Sequence, residues 1–476
     1  MALSASGLGS GLDINGLVSQ LMAVERQPLT AMARKEASFQ AKLSAFGQIK
    51  GSLSALQTAA NALKDAAKFS ATKATVGSDA GFTASTASGA AAGSYSVQVE
   101  QLAKTQRIAT SAATSFDPVD GSEAEPKTLE IRFGKMVDGV FTAGEAVDGS
   151  FTPGAGSAKT LEFTGKTIEE LRDAINKGDL GVTANIIDNG TAKQLVITGK
   201  NTGAEQAFSI GGDVGLSYTP AADAGVSTDA AYRLQSSQDA RINIDGITVT
   251  RGSNTVSNAI EGVTLTLSKE TTTATSLTVT EDFGGARSAI DAFVKAYNDT
   301  QTTLKNLTAF NAETKAASTL TGDSTARNIQ SQVRNLVGGA LSGLGDTNRL
   351  ADIGITFAAD GKLTVDGSKL DAALKDPNRD VAAFFTGSGD TKGLAATVSD
   401  GLKNFIDTGG LLAGRTEGLN SSIKLIGKQR EAFEARLESV QKRYQAQFTA
   451  LDSTIASMTQ TSNYLTQQLA SLSNFN

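Results

Sequence analysis

The residues that most often carry out chemistry in proteins are scarce in this chain. Its 476 residues include no Cys and no His, which removes thiolate nucleophiles, Cys/His zinc sites and imidazole bases. No Ser or Thr has a recognisable base, and Glu169 and Glu170 are adjacent on a predicted helix and do not face each other. We therefore expect neither an enzyme nor a bound cofactor or metal.

A glycine-rich segment near the N-terminus superficially resembles a nucleotide-binding loop. Residues Gly7–Leu12 read Gly-Leu-Gly-Ser-Gly-Leu, but no strand precedes them and no Gly-Lys-Ser/Thr follows, as phosphate loops require. Flexible chain is the better interpretation of this segment. The Asp-Gly pairs at 245–246 and 360–361 lack the acidic series of a calcium loop and are typical of hairpin turns.

Charge and hydropathy exclude further classes of partner. The net charge is −6, so the chain has no bulk attraction for nucleic acid or anionic lipid, and we expect no nucleic-acid binding. No apolar run approaches the roughly 20 residues that span a bilayer, so we expect no membrane insertion. The N-terminal residues lack the basic and apolar regions of a Sec signal peptide.

A long C-terminal helix is the clearest element that could position a binding surface. Its apolar residues recur in steps of four and three, which predicts a left-handed coiled coil within the chain or between subunits. An ordinary helical bundle inside one domain is the alternative. The stripe comprises Leu419, Ile423, Ile426, Arg430, Phe433, Leu437, Val440 and Tyr444, and carries on through Gln447, Leu451, Thr454, Met458, Leu465, Leu469 and Leu472.

Helical spacing also marks the N-terminal end. Leu17, Leu21 and Val24 lie on one face of a short amphipathic helix, which Pro28 interrupts. A second stripe follows, formed by Phe39, Leu43, Phe46, Ile49, Leu53, Leu56, Ala60 and Leu63. These stripes are the nearest candidates to pair with the C-terminal helix.

Between the helical ends the apolar period changes to two, which indicates strands. Alternation is clearest at 94–99 and across the Asp-Gly turn at 241–250. An inserted module lies further inside, where Thr167 and Glu170 are spaced as a capping box for a helix that begins at Ile168. We therefore predict an α+β multidomain protein, with terminal helices forming a coiled-coil leg and nested β-rich head domains.

The nested order suggests domain boundaries along the chain. They are a flexible N-terminal segment with a short amphipathic helix at 1–38, an N-terminal leg helix at 39–69, a first part of the β head at 70–105, an inserted α+β outer head at 106–238, a second part of the β head at 239–281, leg helices and a hairpin at 282–410, and the C-terminal coiled-coil helix at 411–476.

Several segments together carry a family resemblance. They are Ser6–Ile14 with Leu17-Val18 and Glu25–Leu29, Ile242–Gly246 with Ala259–Leu265, Ile353–Thr356 with Asp360–Leu363, and Phe448–Asp452 with Tyr464-Leu465. In this order they resemble the bacterial flagellar filament cap family, also called flagellar hook-associated protein 2. The unit from Ile168 to Gly203 is similar to a motif shared by flagellin and hook-associated proteins.

The resemblance implies a structural role at the distal tip of the bacterial flagellum. Family members form a homo-oligomeric, pentamer-like ring that retains exported flagellin and promotes its folding and insertion, as filament assembly and motility require. The implied partners are other copies of the chain, flagellin, hook–filament junction proteins, an export chaperone before secretion and, through the head, host surface glycans in cell adhesion. Secretion through the flagellar export apparatus is implied as well.

The residues predicted to bind partners or other copies come from the terminal stripes. They are Leu17, Leu21, Val24, Leu43, Phe46, Leu53, Phe433, Leu437, Val440, Tyr444, Leu451, Met458, Leu465 and Leu469. Two other functions stay open, namely another axial or junction protein of the flagellum and a secreted adhesin with a coiled-coil stalk. The nested order disfavours the first, and the lack of a Sec signal disfavours the second.

Overall fold

The computed structural model describes residues 13–111, 125–137, 140–143, 158–220 and 231–473. The glycine-rich segment Gly7–Leu12, interpreted above as flexible chain, lies outside these residues. The chain divides into two compact units. One, called here the helical unit, contains the residues up to 69 and those from 284 onwards, and the other, the β unit, contains 70–283.

Helices dominate both ends of the chain, as predicted. In chain order they are α1 (Ile14–Glu25), α2 (Gln27–Ala62), α3 (Ile168–Lys177), α4 (Gly284–Thr308), α5 (Ser324–Gly338), α6 (Gly367–Lys375), α7 (Val381–Thr386), α8 (Leu394–Ile406) and α9 (Leu411–Ser473). All of them except α3 belong to the helical unit. Among the described residues, no helix is long and apolar enough to span a bilayer.

Strands fill most of the β unit. In chain order the strands of the protein are β1 (Thr72–Val76), β2 (Phe82–Thr86), β3 (Gly93–Gln101), β4 (Arg107–Thr110), β5 (Lys127–Val137), β6 (Val140–Ala143), β7 (Lys159–Phe163), β8 (Val182–Asp188), β9 (Lys193–Gly199), β10 (Ala207–Gly212), β11 (Ala231–Gln235), β12 (Ala240–Ile244), β13 (Ile247–Arg251), β14 (Thr255–Ile260), β15 (Val263–Leu267), β16 (Thr275–Glu281), β17 (Phe310–Asn311), β18 (Ala316–Ala317), β19 (Ile355–Phe357), β20 (Leu363–Val365), β21 (Gly387–Ser388) and β22 (Thr391–Lys392). The last six form small hairpins of the helical unit.

The β unit contains two separate apolar cores. The first lies between a five-stranded sheet of order β1-β16-β3-β12-β13 and a three-stranded sheet of order β14-β15-β2. The second joins α3 to the sheet β11-β4-β9-β8 and to a sheet in which β5 pairs with β10, β6 and β7. This mixed α+β architecture with long terminal helices confirms the predicted fold class, whereas the domain boundaries above stay predictions.

Local sequence signals identified several of these elements. Thr167 Oγ1 accepts a hydrogen bond from the Glu170 N–H while the Glu170 carboxylate accepts one from the Thr167 N–H, which is the predicted capping box. Asp245 and Gly246 join β12 to β13 with φ of 49° and 87°. A two-residue hairpin of type I′ requires positive φ at both positions, and Asp-Gly supplies it at low cost.

The N-terminal helix extends further than the sequence indicated. The sequence predicts a flexible segment with one short helix at 1–38, whereas α2 runs continuously from Gln27 to Ala62. Pro28 stands in the first turn of α2, where its missing N–H costs nothing because that group has no helical partner. The break between α1 and α2 therefore lies at Arg26 alone.

Candidate docking surface

The helix α9 packs along α2 in the opposite direction. The Arg430 guanidinium bonds the Glu36 carboxylate, with Nη1 to Oε2 at 3.1 Å, and the Arg415 guanidinium lies 5.8 Å from the centre of the Phe46 ring. Because residue numbers rise along α2 while they fall along α9, the two helices are antiparallel. The predicted pairing of the terminal stripes is therefore made within the chain.

The helix α1 continues this contact toward the end of α9. Its Ile14, Val18 and Met22 form one buried cluster with Leu437 and Val440. Partly buried side chains pack around that cluster, namely Leu29, Phe433, Tyr444 and Phe448. The Tyr444 hydroxyl also donates to Glu25 Oε1 at 3.1 Å. Sequence reasoning missed the three α1 residues, although their spacing in steps of four was a usable signal.

The predicted stripe of α1 lies on its other face. Leu17, Leu21 and Val24 are solvent-accessible, and Val24 is 63% exposed. The helix is thus apolar on two faces, and only the one with Ile14 and Val18 is covered within the described part of the chain. Which face would be covered depends on its partner, so periodicity within twelve residues was insufficient to decide it.

The last part of α9 leaves its apolar stripe uncovered. Leu451, Met458, Leu465 and Leu469, called here the distal stripe, are all exposed, with Leu465 at 56%. Residues 453–473 include no Asp, Glu, Lys or Arg. A solvated helix face normally carries charges, and an uncharged helix with an exposed apolar stripe is instead typical of a surface that binds a partner.

The seam of α9 shifts at one point along its length. The predicted stripe passes through Gln447, but in the structure Gln447 is exposed and Phe448 is partly buried. The contact therefore follows Val440, Tyr444 and Phe448 in two successive steps of four. An extra step of four in a heptad pattern is a stutter, which locally unwinds the supercoil and rotates the apolar face.

The remaining predicted binding residues lie inside the helical unit. Phe46 and Leu53 are completely buried, and Leu43 is partly buried. Leu437 and Val440 are buried as well, and Phe433 and Tyr444 are partly buried. These side chains stabilise the leg itself, so a partner could reach them only if the bundle opened. Their assignment to partner binding stays a prediction.

One polar contact anchors the start of α9. The Asp323 carboxylate accepts hydrogen bonds from the N–H groups of Thr325 and Ala326 at the start of α5, and Arg415 Nη2 donates to it at 2.9 Å. Burial alone would raise the pKa of this carboxyl, which is 7% exposed. Arg415 and the two N–H groups outweigh burial and hold the pKa of Asp323 below its usual value.

The described residues contain no group of three or more Asp or Glu side chains that could hold a metal ion. The β unit has an open polar cleft of about 620 Å³ between residues 201–206 and 250–255. Its floor is held by a bond from Thr202 Oγ1 to the Gly252 carbonyl at 2.7 Å and one from the Ala204 N–H to Asp239. These two hydrogen bonds stabilise the turns that line the cleft, and the described lining residues form no catalytic arrangement.

Comparison with known proteins agrees with this order of elements along the chain, in which helical segments precede and follow the β unit. Residues 10–106 match the family profile described as flagellar hook-associated protein 2 N-terminus, and 237–460 match the corresponding C-terminus profile. The flagellar hook-associated protein 2 of Escherichia coli K12 is 34% identical over 99% of both chains. The chain belongs to the flagellar hook-associated protein 2 family. An A-type member from Pseudomonas aeruginosa is 35% identical over 98% of this chain and 97% of its own.

A solved structure of this family has the same fold. The flagellar cap protein FliD D1-D2-D3 domains from Escherichia coli match with a TM-score of 0.63 and 33% identity, over 79% of this chain and 99% of that one. Residues 164–201 match the flagellin hook IN motif, which confirms the predicted similarity of the unit around α3. In this member of the hook-associated protein 2 family, the exposed face of α1 and the distal stripe are the best candidates for a docking surface.

Proposed function

We propose that this chain caps the distal end of the flagellar filament as a homo-oligomeric ring. The ring retains exported flagellin at the tip and promotes its folding and insertion, so filament growth and motility depend on it. The observation that carries the proposal is the uncovered distal stripe on α9 in a chain of the hook-associated protein 2 family. The related Escherichia coli protein of known structure is a flagellar cap protein, which supports the proposal.

The distal stripe has the physical properties that docking onto helical filament ends needs. Burying its leucines and methionine stabilises a complex by roughly 25 cal/mol per Å² of apolar surface. The absence of charges from 453 to 473 means that no ion has to be desolvated when the helix enters a helical partner. The exposed face of α1, with Leu17 and Leu21, adds a second apolar surface for another copy or for flagellin.

The same proposal covers the route and the other partners. The chain reaches the tip through the flagellar export channel, and the lack of Cys means that no disulfide hinders threading. An export chaperone covers the apolar terminal surfaces before secretion, and hook–filament junction proteins receive the ring before the filament grows. Each of these contacts uses surfaces that are apolar and uncovered in the single chain.

Deleting the gene in its bacterium tests the proposal. We expect abundant monomeric flagellin in the medium and bare hooks in electron micrographs, with both defects reversed by the full-length gene. Flagellin is quantified by immunoblotting of the culture supernatant, and filaments are counted per cell. Normal filaments with unchanged flagellin secretion in the deletion strain would refute capping.

A further inference from the structure

Within the described residues, the five-stranded sheet of the β unit is open at one edge. β13 ends the five-stranded sheet, and no described strand pairs with its outer side. The opposite edge, β1, is covered because β2 lies beside it and the Thr86 hydroxyl donates to the Thr72 carbonyl. Natural proteins generally protect exposed edges, because unpaired N–H and C=O groups bind other chains. An unprotected edge is therefore informative.

The pairing register determines which backbone groups of β13 point outward. The Asp245 N–H donates to the Ser96 carbonyl on β3 at 2.9 Å, so the alternate residues Ile242 and Ile244 turn their backbone groups toward β13. Their partners are Val249 and Ile247. In an antiparallel pair the intervening residues face away, which leaves the N–H and C=O groups of Thr248 and Thr250 on the open edge.

Within the described residues, one of these outward groups has a partner. Arg251 Nη1 donates to the Thr250 carbonyl at 2.9 Å. The Thr248 N–H, the Thr248 carbonyl and the Thr250 N–H have none in the described part of the chain. They lie along a strand that reads Ile-Thr-Val-Thr-Arg, without Pro, Lys or an acidic residue to discourage pairing, and its Ile247 is 69% exposed.

The open polar cleft provides room beyond the end of this edge. Thr250 and Arg251 of β13 line it together with residues 201–206. A chain added beside β13 therefore reaches this cleft at Thr250 and Arg251. The lining offers backbone groups, hydroxyls and both signs of charge, from Glu205, Asp239 and Arg251, and it suits an extended polypeptide of mixed composition.

We propose that β13 binds an extended, unfolded polypeptide segment by strand addition. A second folded copy is the less suitable occupant, because β13 offers five residues whereas a stable protein interface needs about 20 to 30 residues on each side. Backbone pairing does not depend on sequence, which suits transient contact with many segments of one unfolded chain. Resting on the capping role proposed above, the client is exported flagellin before it folds.

Binding of a defined peptide to the purified full-length chain tests the edge. The probe is an acetylated, fluorescent peptide of alternating Thr and Val, and its control carries N-methyl groups on every second residue, which block pairing. We expect the unmethylated peptide to bind and the N-methylated control not to bind. Thr248→Pro should weaken binding about tenfold or more by removing an outward N–H that a solvent-facing edge strand can lose, whereas Thr248→Val should bind like the original chain.

Amide hydrogen exchange gives a second readout that needs no variant. Adding the peptide should slow exchange at Thr248 and Thr250 and leave Val249 unchanged, because the Val249 N–H is already bonded to β12. Equal binding by Thr248→Pro, or no change at these two amides, would overturn the proposal. The proposal would also be overturned if sedimentation equilibrium showed a stable dimer and hydrogen exchange showed that its Thr248 amide is protected without peptide. A negative peptide result leaves the gene-deletion test of capping unaffected, so the two failures are distinguishable.

Discussion

The two halves of α9 have similar apolar spacing and different surroundings. In the first half, up to Phe448, the stripe is covered by α1 and α2, and Arg430 makes an ion pair across the seam. In the second half the distal stripe is uncovered, and charges are absent from residue 453 onward. The first half therefore stabilises the fold, and the second half is available for a partner.

A matched pair of leucines makes this comparison quantitative. Leu437 and Leu465 lie four heptads apart on one helix, and they are 6% and 56% exposed. Heptad spacing indicates that a helix needs a partner, but it does not indicate whether that partner lies in the same chain. The exposed leucine is consequently the one whose role depends on assembly.

The largest expected effect comes from removing the second half. A stop codon after Ser457 should abolish filament formation in the deletion strain, because it removes Met458, Leu465 and Leu469. The melting temperature of the purified chain should change by less than about 2 °C, since the removed side chains are exposed. Filament counts and circular dichroism are the measurements. Full rescue of filaments by the truncated chain would show that Met458, Leu465 and Leu469 are dispensable for filament formation.

A longer truncation is the matched control. A stop codon after Leu437 also removes Val440, Tyr444 and Phe448, which cover α1. This variant should lower the melting temperature of the helical unit and speed hydrogen exchange at the amides of Val18 and Met22. An unchanged melting temperature would contradict the assignment of the first half of α9 to the stability of the leg.

The next effect is the difference between the two leucines. Leu437→Ala should reduce the free energy of unfolding of the helical unit by about 2–4 kcal/mol, because it leaves a cavity in a buried cluster. Leu465→Ala should change it by less than about 0.5 kcal/mol. Urea titrations followed by circular dichroism measure both values. Equal losses of unfolding free energy for the two variants would contradict the assignment of the first half of α9 to stability and of the second half to partner binding.

A smaller effect is expected from the charge that anchors the start of α9. Asp323→Asn keeps an oxygen for the α5 cap but loses the ion pair with Arg415, and should cost about 1–3 kcal/mol at neutral pH. Because the pKa of Asp323 is lowered in the folded chain, its contribution is complete above the ordinary value of about 3.9 and is lost as pH falls through the lowered pKa. The difference between variant and original chain should therefore shrink in acid.

An exposed ion pair provides the control for that measurement. Asp371→Asn removes the ion pair between Asp371 and Arg287. Because the Asp371 carboxylate is 55% exposed, this substitution should have little effect on stability at any pH. A pH-independent loss in Asp323→Asn would indicate that the cap geometry was damaged and that the charge was not responsible.

The smallest expected effect concerns the ion pair across the seam. Glu36→Gln should cost about 0.2–1 kcal/mol, since the Arg430 side chain is partly exposed. The loss should diminish in 1 M salt, where the screening length is about 3 Å. Docking by the uncharged second half should be insensitive to the same salt. Urea titrations at low and high salt measure the stability loss of Glu36→Gln. A loss that persists in 1 M salt would indicate that Glu36 stabilises the seam by packing and that its charge is not responsible.

Local features of this protein were readable from sequence. The Asp245-Gly246 hairpin and the Thr167–Glu170 capping box depend on neighbouring residues alone, and both were identified correctly. The long period of α9 likewise predicted a helix that pairs with the N-terminal stripe. These elements share a physical basis, because turn, cap and helix preferences come from interactions over fewer than about five residues.

Other features depended on contacts between distant segments. The buried face of α1 is Ile14, Val18 and Met22 in place of Leu17, Leu21 and Val24, because α9 covers that face. The seam passes through Phe448 in place of Gln447 for the same reason. Each choice lies between two faces of one helix that are both partly apolar, and only the partner's position distinguishes them.

The sequence by itself determined the classes of structure: helical ends, a β-rich middle, an inserted α+β module and a chain without thiol or imidazole chemistry. The tertiary structure decided which apolar residues are used inside the chain and which are left for others, as at Leu437 and Leu465. The physical reason is that secondary structure follows local preferences, whereas burial depends on which surfaces the fold brings together. Those surfaces can be far apart in sequence, as Glu25 and Tyr444 are, with a separation of 419 residues.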